Sequence, residues 1–369
     1  MPAPADMATW SGCPIGGPAA KGRPSVTIVD PPARNFSPWF QVVTRLLATQ
    51  ELDPLPDDDL AGFDAWRSRF ADRFAGALAP WPTRVPLATE IDDGDDADGY
   101  RRHRLVFDTE DTMSVPAWLL VPHGRTAPGS AVLAVHGHGP GKSRICGLEP
   151  DDPPGGDYAA ELARRGHLVL APDLRCFGER LDWNPEDHYA CDTNLVHQVM
   201  AGWNPLTQNL WDCARALDIL ESHPLVDPAR LGVVGFSYGG TIALFLAACD
   251  QRVAASVVSG YFSSWAESHK MPWNMCGSQV LPGMLGTMEH ADIGALIAPR
   301  ALFVSSGRED PLFPIATAEA SVRRLRRVYE YLGAGDRIGH EIHDGEHQWH
   351  GEGAYRFIEE QWGRTPGVG

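Results

Sequence analysis

Residues 230–249 read RLGVVGFSYGGTIALFLAAC. The first seven form a short, mostly apolar run of the kind that fills a buried strand, and the residues from Tyr238 onward read as an apolar helix. Between them stands Ser237, flanked by Gly235, Gly239 and Gly240. A plain surface turn would account for the glycines. A sharp strand-to-helix turn accounts for the serine as well: side chains on either side would collide, so Gly235 and Gly239 fit by lacking a Cβ. Such a turn holds the serine hydroxyl out at the carboxyl end of the sheet, beside the N–H groups of the next helix. This is the context of a G-x-S-x-G nucleophile elbow, although the pentapeptide alone is a weak signal.

A serine hydroxyl is a poor nucleophile until a base takes its proton. The elbow therefore predicts an acid and then a histidine downstream, in the order Ser, Asp or Glu, His. Asp310 follows the apolar run RALFVSSG, and His347 follows RIGHEIHDG. Asp310 would orient the imidazole, and His347 would act as general base and then general acid. Glu309 competes for the acid, while the Asp-Pro step favours Asp310. His340, His343 and His350 compete for the base; the first two are expected on the strand itself and His347 in the loop after it. The intervals among these four histidines fit no common structural zinc pattern, so neither a metal nor another cofactor is expected. Oxyanion donors are expected from the N–H of Tyr238 and from the loop HGHGPGK (136–142), with His138 first and Gly139 second.

Outward from this core, eight runs read as strands, from YRRHRLVFDT (100–109) to RIGHEIHDG (337–345). Helical stretches alternate with most of them, which predicts an α/β fold with a mostly parallel eight-stranded sheet covered on both faces. Residues 1–34, rich in Pro, Gly and Ala, predict a flexible arm. Residues 35–99 predict a helical extension, and its acidic run EIDDGDDADGY (90–100) reads as a solvated loop. Residues 100–369 form the expected catalytic domain, with loop insertions at 176–206 and 261–289.

The formal charge of −17, from 31 basic and 48 acidic residues, disfavours nucleic acid and anionic membranes as partners. No run is long and apolar enough to span a bilayer, and the N-terminus lacks a secretory signal pattern. Seven scattered cysteines without a C-x-x-C pair suggest a reduced, cytoplasmic protein in which most act as small hydrophobes.

The chain resembles the α/β-hydrolase superfamily, and within it the dienelactone-hydrolase-like branch with the acetyl xylan esterase-like serine esterases. The resemblance rests on HGHGPGK, PDLRCFGER (172–180), RLGVVGFSYGGT, HADIGALIAPRALFVSSGREDPLFP (290–314) and DGEHQW (344–349), in that order. It implies Ser237, Asp310 and His347 as a triad, with Tyr238 and His138 as oxyanion donors.

The expected function is hydrolysis of a small or medium-sized carboxylic ester, a small-molecule partner, through an acyl-Ser237 intermediate. A lactonase, acyltransferase or peptidase would use the same triad. A non-catalytic binding protein on the same scaffold is the alternative of another class. Homo-oligomerisation is left open. The two insertions carry Trp183, Trp203, Trp265, Trp273 and Met275, which are expected to line an apolar substrate pocket beyond the strand ends.

Overall fold

The computed structural model describes residue 34 and residues 36–49, 52–56, 59–149, 155–181, 190–268 and 276–363. Of the expected N-terminal arm, all but Arg34 lies outside the described residues. The chain divides into two compact units between residues 49 and 50. The first contains helix α1 (Pro38–Ala48), where Ser37 accepts a hydrogen bond from Phe40 N and Pro38 occupies the first turn.

The second unit is built on a ten-stranded sheet: β1 (Glu90–Ile91), β2 (Asp95–Asp96), β3 (Tyr100–Glu110), β4 (Met113–Pro122), β5 (Gly129–Val135), β6 (Leu168–Pro172), β7 (Val226–Phe236), β8 (Val253–Ser259), β9 (Ala301–Gly307) and β10 (Ile338–His343). The order is β1-β3-β4-β6-β5-β7-β8-β9-β10, with β2 also pairing with β3. β6 to β10 and β5 run parallel, and β1 to β4 add on antiparallel. Eight strands, β3 to β10, coincide with the eight runs that read as strands. The other two, β1 and β2, correct the loop expected at 90–100. They are two-residue pairings made mainly by acidic residues, so they leave no alternation to read.

The helices of this unit are α2 (Phe63–Leu78), α3 (Lys142–Ile145), α4 (Tyr158–Arg164), α5 (Ala190–Met200), α6 (Pro205–Ser222), α7 (Tyr238–Cys249), α8 (Trp265–Ser268), α9 (His290–Ile297), α10 (Ile315–Tyr331) and α11 (Glu352–Gly363). Alternate strand residues feed two cores. On β5, Ala131, Leu133 and Val135 join one core with α2, α6, α7, α9 and α10. Val132 and Ala134 join the other with α4 and α11. α2 buries Phe63, Trp66, Phe70, Phe74 and Leu78 at three- and four-residue spacing, and Phe74 meets Phe245 of α7 at 5.6 Å. Among the described residues, no helix is long and apolar enough to cross a membrane.

α5 falls inside the stretch expected as loop 176–206. It exposes Val196, Val199 and Met200, so its apolar residues trace no core-facing stripe that would announce a helix.

Candidate active site

β5 and β7 are adjacent at the centre of the sheet, yet the chain passes from β5 outward to β6 before returning to β7. The loops leaving these two strands therefore diverge, and ligands of open α/β sheets bind in the crevice so formed. The turn after β7 carries Ser237. Its backbone sits at φ 57°, ψ −117°, a strained conformation for a residue with a side chain. A Cβ on Gly235 would overlap the Gly239 carbonyl, and one on Gly239 would overlap that of Val135, so both positions exclude side chains. Ser237 N donates to Ser259 O at 2.9 Å, tying the turn to the end of β8.

His347 lies in the loop after β10. Its Nε2 is 2.9 Å from Ser237 Oγ, and its Nδ1 is 2.8 Å from Asp310 Oδ2. Asp310 follows β9, and its other oxygen accepts from Leu312 N at 2.8 Å and Phe313 N at 3.2 Å. One carboxylate oxygen is thus fixed by backbone amides while the other faces the imidazole. Phe236 and Phe313 flank the His347 ring at 4.7 and 5.8 Å. The competing residues lie elsewhere. Glu309 is exposed. His340 is on β10 with Nε2 against Ser306 Oγ at 3.1 Å, and burial pulls its pKa down to about 4. His343 ends β10 beside His350, whose Nδ1 pairs with Glu341 at 3.1 Å.

The loop after β5 lies against the elbow: a Cβ on Gly137 would stand 3.2 Å from Ser237 Cβ. The His138 ring is 5.4 Å from that of Tyr238, and Gly139 is exposed one residue on. Tyr238 opens α7, where N–H groups lack intrahelical partners. A buried ionic brace holds this loop. Lys142 Nζ donates to Asp173 Oδ2 at 2.5 Å and to Glu179 Oε1 at 2.6 Å, and Lys142 N donates to Asp173 Oδ1 at 2.8 Å. His136 Nε2 accepts from Leu174 N at 2.9 Å. Asn209 joins the same region to the elbow, donating to Tyr238 Oη at 2.8 Å and accepting from Arg175 N at 2.9 Å. These supports escape a sequence reading, because Lys142, Asp173 and Asn209 carry ordinary polar side chains whose burial only the fold reveals.

The expected apolar pocket needs correction. Trp265 is fully buried; its indole donates to Met288 O at 2.7 Å and its ring lies tilted against that of His290, centroids 3.8 Å apart. It is a core residue, held by a hydrogen bond that a pocket wall would not require. Trp203 is partly buried in the turn between α5 and α6, where its backbone N–H donates to Gln198 O at 2.8 Å. Trp183, Trp273 and Met275 lie outside the described residues.

One further cluster joins the two insertions to the loop after β5. The ligating atoms of His138, Cys191 and Cys276 all lie within 4.8 Å of one another. Hydrogen bonding from Cys276 and then from His138 pulls the Cys191 thiol below its ordinary range, while burial pushes that of Cys276 up.

Residues 145–326 match the Dienelactone hydrolase family, a span that includes Ser237 and Asp310 but stops short of His347. The "Putative hydrolase YtaP" of Bacillus subtilis (strain 168) is 28% identical over 269 residues, covering 70% of this chain and 86% of that protein. Among solved structures, a "putative acetyl xylan esterase" from Bacteroides fragilis NCTC 9343 superposes with TM-score 0.70 at 18% identity, over 84% of this chain and 83% of the other. A glucuronoyl esterase from Solibacter usitatus gives TM-score 0.64 at 17% identity, over 85% and 98%. The protein has the α/β-hydrolase fold. Over just under half of its length the chain is similar to the Dienelactone hydrolase family, and the neighbours that share its fold at these identities are named as esterases.

Proposed function

We propose that the protein hydrolyses carboxylic esters through an acyl-Ser237 intermediate. The observation that carries this reading is the unbroken line Ser237 Oγ, His347 Nε2, His347 Nδ1, Asp310 Oδ2, with 2.9 and 2.8 Å at its two hydrogen bonds, on a strained elbow. With Asp310 holding the proton on Nδ1, Nε2 is free to accept the hydroxyl proton as Oγ attacks the ester carbonyl carbon. The N–H groups of Tyr238 and His138 would stabilise the oxyanion, with Gly139 next in reach. His347 then returns the proton to the departing alkoxide, leaving the acyl group on Oγ. Water, giving a proton to the same imidazole, attacks the acyl carbon; the acyl–Oγ bond breaks, His347 passes that proton to Ser237 Oγ, and the acid is freed. Serine and histidine supply nucleophile and base, so these steps call on no Lewis acid.

Acetyl and glucuronoyl esters of sugars, the substrates in the structural neighbours' names, are the first to test. The scattered cysteines and acidic charge support a cytoplasmic protein acting on a small molecule rather than on nucleic acid or membrane. The test is a panel of esters, lactones and amides against wild type and Ser237→Ala, with mass spectrometry of the intact protein. Release of free acid and an acyl adduct on Ser237 are expected. Transfer of the acyl group to an added alcohol or amine in preference to water would make the protein an acyltransferase. Wild-type turnover in Ser237→Ala would overturn the reading altogether.

A further inference from the structure

We propose that His138, Cys191 and Cys276 form a binding site for a soft divalent cation, zinc above all, beside the nucleophile elbow. The three come from separate parts of the chain. His138 leaves β5, Cys191 lies in the first turn of α5, and Cys276 immediately precedes the 3-10 turn Gly277–Gln279. Fold alone brings one nitrogen and two sulfurs to a common point, all within 4.8 Å of one another. Both cysteines are buried, at 1% and 5% exposure, whereas His138 is partly accessible, which leaves a route of entry.

Two thiolates and an imidazole are three of the four ligands of a tetrahedral zinc site, and the fourth position is left for water or a ligand. Donors around such an ion lie about 3.5–3.8 Å apart, so binding requires a contraction of roughly 1 Å at the widest pair. The backbones that carry the thiols are already tied together. Asp192, next to Cys191, accepts from Gly277 N, next to Cys276, at 2.6 Å. Gln279 holds the same turn, accepting from Cys276 N at 3.3 Å and donating to Thr241 Oγ1 of α7 at 2.8 Å. Outer hydrogen bonds of this kind orient metal ligands.

A disulfide would use the two sulfurs alone and leave the convergence of the imidazole unexplained; it would also need an oxidant. Metal binding needs none: the cation displaces one proton from each thiol to solvent, and two thiolates balance its charge. The imidazole of His138 would then be fixed from one side while its main chain lies at the elbow. The effect on oxyanion binding rests on the esterase reading. The metal site itself does not.

The test uses the full chain, reduced and stripped with a chelator, then titrated with cobalt(II) and zinc. One equivalent of cobalt should produce a thiolate-to-metal charge-transfer band, which zinc should bleach. Cys191→Ser and Cys276→Ser should each remove the band and weaken zinc binding by about tenfold or more, since losing a ligand costs at least what losing its support does. Cys249→Ser, at an exposed thiol, should keep it. Should a variant fail to fold, the wild type still reports: zinc should shield two thiols from a thiol-specific reagent. Absence of the band in folded wild type, its survival in both cysteine variants, or equal thiol reactivity with and without zinc would each overturn the proposal. Ester turnover plays no part in these readouts, so loss of the esterase reading would leave them intact.

Discussion

Ser237 and Trp265 each follow the carboxyl end of a central strand, β7 and β8 respectively. Ser237 is partly exposed, carries a positive φ, and aims its hydroxyl at His347. Trp265 is enclosed on every side and its one polar atom is satisfied by Met288 O. The difference lies in what each position constrains. At 237 the backbone itself is the signal, because neighbouring side chains are excluded and only certain sequences can make the turn. At 265 the signal is a residue type, and a tryptophan suits a pocket wall and a core equally well.

The widest gap between the two regions should appear in turnover. Ser237→Ala should lower kcat on the order of 10⁶-fold with little change in melting temperature, measured by ester hydrolysis beside a thermal melt. More than a few per cent of residual turnover would remove Ser237 as nucleophile. Asp310→Asn should fold normally and lose roughly 10⁴ in kcat, because an amide favours the wrong histidine tautomer. Glu309→Gln, at an exposed site, should stay near wild type; the reverse ranking would reassign the acid.

Trp265→Ala should act on the other side of the comparison. Loss of a buried tryptophan costs about 3–5 kcal/mol of stability. The ratio of kcat/KM for bulky and acetyl esters should stay the same in the protein that remains folded. A changed ratio with an unchanged denaturation midpoint would return Trp265 to the pocket.

The last test concerns pH. Burial is the largest cause holding His340 and His167 at about 4, against an ordinary value near 6.5. Between those values the unfolded chain binds more protons than the folded one, so stability should be full above about 6.5 and fall as pH drops toward 4. Melting temperature against pH should show this slope, and His167→Gln should flatten it. An unchanged slope in that variant would mean His167 titrates alike in both states.

Legibility followed the same division. Continuous apolar runs mark the central strands β5 to β9 where they are buried on both faces, whereas β3 and β10 carry polar residues and are only partly buried. The elbow and the two downstream loops stood out because Ser237, Asp310 and His347 each follow a run that reads as a strand. β1 and β2 did not, since backbone pairing of Glu90–Ile91 and Asp95–Asp96 makes no demand on side chains. α5 and α8 hid inside stretches read as loops because their apolar residues follow neither period clearly. The brace at Lys142 and the meeting of His138 with two distant cysteines depend on contacts across the fold, which no local pattern records.

The positive φ of Ser237 has a consequence for selection. Glycine would occupy that turn without strain, and would also remove the hydroxyl. A library of variants screened for heat resistance alone should drift away from serine at 237, while one screened for ester turnover should hold it. A single backbone angle thus sets durability against chemistry, at the residue where the two demands cannot both be met.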